Sequence, residues 1–209
     1  MEIKLSTALD AVRFAIGDVA QKAVKRRLTV YGNKIPCKSG CNGCCSRLVY
    51  ISMAEAILIY EYLVENGSWQ VVATAARKQF QLAQQTDPLA WFKMDIKCPI
   101  LDQKNGTCLA YKMRPAKCST HFVTSNPAVC DPWNPVGGRY ESVDMVDLQM
   151  EFEKRLESAI DGHGIMQVLV PIPVAILLAE RIQIQSGLSL QSAISLLYME
   201  FSNKGDSHE

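Results

Sequence analysis

Apolar positions recur at three-and-four spacing along most of this chain, the period of helices with one face turned to a core. Over residues 7–29, Leu9, Val12, Ile16, Val19 and Ala23 form such a stripe. Thr7 with Asp10 resembles a capping box, and Lys25, Arg26 and Arg27 fall where the helix dipole favours cations. A second helix is predicted over about 53–66, with Ala56, Ile57, Ile59, Tyr60 and Leu63 as a broad apolar face. Ser52 and Glu55 cap its start and Gly67 ends it. As a capping residue Glu55 is explained without a role as metal ligand or base. A third helix, Trp69 to Gln85, turns Val72, Ala75, Ala76, Gln79 and Ala83 inward, with Phe80 beside them, and stops before Pro88. Trp91 and Phe92 read as core aromatics.

The period then breaks. Cys98 to Tyr111 reads as a small hairpin, with Asn105-Gly106 as the preferred pair for a tight turn. Arg114-Pro115 opens a short helical turn that carries Cys118. Ser119 to Gly138 is loop-like, with Pro127, Pro132 and Pro135. A helix over 141–160 carries Met145, Leu148, Phe152 and Ile160, and a break at Asp161–Gly164 contains His163, an ordinary loop histidine. Pro173 starts a very apolar helix to about Gln185, with Gly187 as its end; a last helix over 189–202 carries Leu190, Ile194, Leu197 and Phe201, and Asn203–Glu209 frays. The expected class is mainly α: a helical domain with a small β-hairpin and cysteine-rich loops around a metal site. Residues 1–209 read as a single domain, 37–130 as its cysteine-cluster core and 139–209 as its helical C-terminal part.

Charge adds little. There are 22 basic and 21 acidic residues, a net +1, so nothing argues for nucleic acid or an anionic membrane. The longest apolar run, Ile165–Ala179, is interrupted by Gln167, Pro171 and Pro173 and is too short to span a bilayer.

The eight cysteines change the picture. Cys37, Cys41, Cys44 and Cys45 fall in one short stretch, interleaved with Gly40 and Gly43, which suit a tight turn. Thiolates are soft ligands for zinc, iron and iron–sulfur clusters, and Cys41-x-x-Cys44 has the usual gap of such loops. Adjacent Cys44 and Cys45 point to opposite sides if the segment is extended, so they reach different metal atoms or one stays free. That leans from a single zinc towards a multi-metal or iron–sulfur centre. Cys98, Cys108 and Cys118 are the natural completing ligands; Cys130, in a Pro-rich loop, is expected to matter least. The competing reading is a disulfide framework. Against it, Glu2, Asp10, Arg13 and Asp18 interrupt any signal-peptide core, which points to a cytoplasmic setting that keeps thiols reduced.

Cys37-x-x-x-Cys41-x-x-Cys44-Cys45, then Cys98-Pro-Ile-Leu, then Gly106-x-Cys108-x-x-Tyr111-x-x-Arg114-Pro115-x-x-Cys118, resembles the YkgJ-like cysteine-cluster family. The resemblance covers roughly residues 37–130 and all eight thiols, and implies a zinc- or iron-chelating domain. The same domain looks like the cluster-bearing part of flagellin lysine methylases, where an iron–sulfur centre is implied. The residue after Cys118 is often Arg in that family; here it is Ser119.

Beside the thiols, Arg114 is a candidate to hold a substrate carboxylate or offset thiolate charge, or else to form a structural salt bridge. Tyr111 is a candidate donor to a cluster sulfur, or a packed ring. His121 is a candidate ligand. Three functional classes follow: an iron or iron–sulfur protein with a redox or substrate-activating role, a structural zinc module, and a metal carrier. Residues 139–209 would cover the metal site or offer a surface to a protein partner; no small-molecule substrate is identified by the sequence.

Overall fold

The computed structural model describes residues 5–32, 35–38, 40–130, 141–161, 164–184, 192–196 and 199. The fold is mainly α, with short two-stranded ladders between the helices.

Helix α1 (Leu5–Arg26) buries the predicted stripe, widened by Ala8 and Ala15, and runs on into one wider π-turn at Arg27–Tyr31. It is already helical at Leu5, so Thr7 lies inside it and is no cap. Strand β1 (Tyr50–Ser52) leads directly into α2 (Met53–Glu65). Here the capping box is formed: Glu55 N–H donates to Ser52 Oγ at 3.2 Å, and Ser52 N–H donates to Glu55 Oε2 at 2.9 Å. Such a cap contributes about 1 kcal/mol. Helix α3 spans Trp69–Gln85 as predicted, but Phe80 lies on the buried line, while Gln79 is half-buried and donates its amide to Lys97 O at 2.9 Å. Pro88 does not simply end order: Asp87 caps a further helix, α4 (Pro88–Lys93), by accepting from the N–H groups of Leu89 and Ala90.

Strands β2 (Leu101–Asp102) and β3 (Thr107–Cys108) form the expected hairpin, pairing Leu101 with Cys108. Its loop is wider than the expected Asn105-Gly106 turn. The Asp102 carboxylate gathers the N–H groups of Lys104 and Asn105 and the Asn105 amide, and Gly106 closes the loop at φ +66°. Helix α5 (Ala116–Thr120) carries Cys118 and follows Pro115, which sits just before the helix instead of at its first position.

The stretch expected to be loop after Ser119 contains strand β4 (His121–Val123). It pairs antiparallel with β5 (Ser142–Asp144), so the helix expected from 141 begins only at Val146, as α6 (Val146–Ala159). Strand β6 (Leu169–Pro171) pairs antiparallel with β1 and feeds α7 (Ile172–Ile184), buried along its first nine residues. The described residues 192–196 and 199 are helical. His163, Gly187, Leu190, Leu197, Phe201, the tail and residues 131–140 lie outside the described residues.

One buried hydrophobic cluster includes residues of every helix from α1 to α7. Helix α1 packs on α5 and α6, and α7 packs on α2 and α3. Strand β1, just after the first cysteine loop, is tied to β6, and β4, just after Cys118, is tied to β5. Among the described residues, no helix is long and apolar enough to cross a membrane.

Candidate metal centre

The first cysteine loop is a chain of tight turns. Cys41 N–H donates to Lys38 O at 2.9 Å, and Gly40 takes φ +88°. Gly43 is not left-handed; it opens a 3-10 turn, Gly43–Ser46, that contains both Cys44 and Cys45. The adjacent pair is therefore not on an extended segment. The two side chains hydrogen-bond to one another instead of diverging to opposite faces.

The later thiols return to this loop through backbone contacts. Cys98 N–H donates to Cys45 O at 2.7 Å, which pins the start of the hairpin to the doublet. The hairpin tip docks on the loop as well: Asn42 Nδ2 donates to Gly106 O at 3.5 Å. Val123 N–H donates to Cys37 Sγ at 3.3 Å, so strand β4 supplies a donor to the first thiol. Glu55 Oε1 accepts from Ala116 N–H at 3.0 Å, which fixes the start of α5 and with it Cys118.

A cavity of about 60 Å³ opens between these segments, and Cys37, Cys41, Cys44, Cys118 and Cys130 all line it. Cys130, remote from any partner in the sequence, is buried (3% exposed) and stands in this wall with the first loop. Cys45, Cys98 and Cys108 lie outside this lining but close to its thiols. Cys45 feels the charges of Cys98 and Cys118, and Cys98 that of Cys108. Cys44 is electrostatically close to all of the other seven.

Two thiols are lowered and the rest raised. The Cys37 thiol hydrogen-bonds to Cys41, bringing Cys41 down to about 6, and is itself pushed up by that bond and by burial. The hydrogen bond from Cys45 brings Cys44 down to about 7, and Cys45 is pushed up in turn. Burial raises Cys98 to about 12, Cys130 to about 11, and Cys108 and Cys118 also above the ordinary thiol value. Gathered thiols, most of them kept protonated by burial, are a donor set that a soft cation completes.

Cationic side chains surround them. Arg27, Lys38 and Arg114 line the cavity beside the sulfurs. Arg27 Nη1 donates to Cys37 O at 2.7 Å; the basic run at the end of α1 is thus partly a support for the thiol loop and not only a solvated helix end. Arg26 of the same run pairs with Asp147 at 2.6 Å. The Arg114 guanidinium lies 4.4 Å over the Tyr111 ring, so these two residues form one stacked unit at the cavity wall. His121 lines the cavity too, with Nδ1 2.7 Å from Asp144 Oδ1.

The residues fit a metal. None of the eight cysteines is joined in a disulfide. Five of them line one cavity, and soft thiolate donors gathered in this way suit zinc, iron or an iron–sulfur cluster. As they stand, Cys37 pairs with Cys41 and Cys44 with Cys45, and among the described residues no three or more Cys, His, Asp or Glu side chains are arranged so that they could hold a metal ion without moving.

Val123 and Arg27 are the supporting residues that the sequence did not reveal. Val123 acts through its backbone, which leaves no residue-type signal. Arg27 sits in a run whose charge has an adequate explanation at a helix end.

No curated protein and no solved structure matches this chain. Residues 36–133, from just before Cys37 to just past Cys130, match the family described as CxxCxxCC: putative zinc- or iron-chelating domain, and this stretch, which holds all eight cysteines, is similar to that family.

Proposed function

We propose that this chain holds iron through its cysteines as an iron–sulfur cluster, in a single cytoplasmic domain spanning residues 1–209, and that the centre serves a redox or substrate-activating role. The observation that carries this reading is the cavity lined by Cys37, Cys41, Cys44, Cys118 and Cys130. One tetrahedral zinc is closed by four ligands. Five thiols at one cavity, with three more close by, exceed what a single closed ion uses. A cluster would use more of these thiols; Val123 N–H would support the Cys37 sulfur, and Arg27 and Arg114 at the cavity wall would offset the thiolate charge. Tyr111 holds Arg114 in place by stacking. When bound, the cluster supplies one-electron chemistry or an open iron for substrate.

In this reading Cys130 ranks with Cys41 as a ligand instead of last. A second reading has support of its own. Cys130 interacts electrostatically with Cys41 and Cys44, and Cys45 with Cys98 and Cys118, while Cys44 reaches thiols of both sets. Two closed four-thiolate zinc sites, structural or serving a metal carrier, would use them fully.

Elemental analysis with acid-labile sulfide on anaerobically purified protein separates the two. Brown protein with iron and sulfide supports the cluster; colourless protein with two zinc ions per chain and no sulfide sinks it.

A further inference from the structure

A second, larger cleft lies on the other side of the thiol wall. Its volume is about 710 Å³, within the usual size of a small-molecule site. Cys44, Cys118 and His121 line both this cleft and the thiol cavity, so they form the partition between the two. Whatever occupies the cleft therefore sits directly against the metal-binding sulfurs.

The cleft has two kinds of wall. Leu89 and Phe92 on α4 and Val146 at the start of α6 give it an apolar side. Leu89 and Val146 are 62% and 56% exposed, so this apolar surface is left open by the fold. The opposite feature is charge. Arg47 lines the cleft, its guanidinium 5.7 Å above the Phe92 ring. Lys117, on the exposed side of α5, lines it too and makes no ion pair among the described residues. The acidic side chain in the lining, Asp144, is turned to His121 at 2.7 Å. Its carboxylate is engaged by His121, and two cations, Arg47 and Lys117, stand against this one acid in the lining.

We propose that this cleft binds a small organic carboxylate with an apolar body, the acid group held by Lys117 and Arg47 and the body laid on Leu89, Phe92 and Val146. A planar carboxylate suits the guanidinium fork, and the apolar wall suits an aryl or branched alkyl group. The site extends the functional reading above, because it places such an acid next to the metal centre. Binding in the cleft itself rests on residues that the metal reading does not use.

The test uses purified full-length protein as isolated. Phenylacetate is titrated by ligand-observed NMR and calorimetry, with phenylacetamide and inorganic phosphate as comparisons. Phenylacetate is expected to bind at least tenfold more tightly than either. Both Lys117→Gln and Leu89→Ser, changes at exposed positions, are expected to weaken it fivefold or more, while Lys112→Gln, exposed and outside the cleft, leaves it unchanged. Absence of phenylacetate binding at millimolar concentration, equal binding of the amide, or indifference to Lys117→Gln would each overturn the proposal. Iron and sulfide are measured on the same samples. Zinc-loaded, colourless protein that binds the acid at this cleft removes the cluster reading alone; brown protein that does not bind it removes the cleft alone.

Discussion

The Glu55 carboxylate joins two ends of the structure: it closes the cap of α2 at Ser52, and its other oxygen accepts from Ala116 N–H, two residues before Cys118. One buried side chain thus serves three donors, Ser52 N–H, Ser52 Oγ and Ala116 N–H. Burial raises its pKa, while the donors from Ser52 and Ala116 oppose that rise. In Glu55→Gln one oxygen becomes an amide nitrogen that faces an N–H donor. We predict a loss of about 1–3 kcal/mol of stability. Glu55→Ala, which strips every donor and leaves a cavity, loses more. Urea unfolding of both variants tests this, and an unchanged midpoint for Glu55→Ala would refute the joining role.

Gly106 offers a second test. Its φ is +66°, and a Cβ there would stand 2.8 Å from Asn42 Nδ2. Asn42 can swing away, so the backbone conformation is the larger cost, about 1–2 kcal/mol for an L-residue. Gly106→Ala should lower stability by that amount and loosen the hairpin from the first cysteine loop. Faster metal loss to a chelator than in the parent protein is the expected companion effect; identical stability and release would show that the tip does not bear on the loop.

Acid should act on α1 before it acts on the thiol loops. Asp147 is held below the usual carboxylate range by its hydrogen bond to Arg26, and Asp18 by those to Lys22 and Arg155. Depressed folded-state values mean that these pairs stabilise the docking of α1 on α6 above the ordinary carboxylate range. They lose that contribution as pH falls through the lowered values, below about pH 4. Asp147 is exposed and Asp18 partly so, and the effect is modest and salt-sensitive. Hydrogen exchange of α1 that quickens with acid, and less so in high salt, is the expected observation. Exchange in α1 that is indifferent to acid would contradict it.

Metal removal should be felt unevenly. Ligation supplies order to loops that the unfolded chain lacks. Residues 37–130 are expected to gain exchange on treatment with a strong chelator, whereas α7, packed on α2 and α3, keeps its protection. Uniform change along the chain would count against a centre confined to the cysteine loops.

Local signals were legible in the sequence. The stripe of α1, the cap at Ser52 and Glu55, the full span of α3 and the clustering of thiols all depend on residues near one another in the chain. What escaped depends on distant pairing. Strand β4 exists because His121–Val123 meets Ser142–Asp144, and β1 because Tyr50–Ser52 meets Leu169–Pro171. Neither strand has enough residues to show a period of its own. Cys130 looked isolated for the same reason: its neighbours Cys37, Cys41 and Cys44 are set by how the chain folds back, not by spacing. Cys44 and Cys45 do not lie on an extended segment, because a 3-10 turn forms there, and short turns of this kind leave no period in the sequence.

The pairing of Ile51 with Val170 bears on the order of events during synthesis. The strand just after the cysteine doublet has no partner until residues 169–171 have emerged from the ribosome. At about 5–20 residues per second, that interval is on the order of ten seconds after Cys45 is made. Until then the first cysteine loop is held only by the contacts that become available earlier, from Cys98 to Cys45, Gly106 to Asn42 and Val123 to Cys37. The pairing of β1 with β6 is thus the last of these restraints on the first cysteine loop to become available.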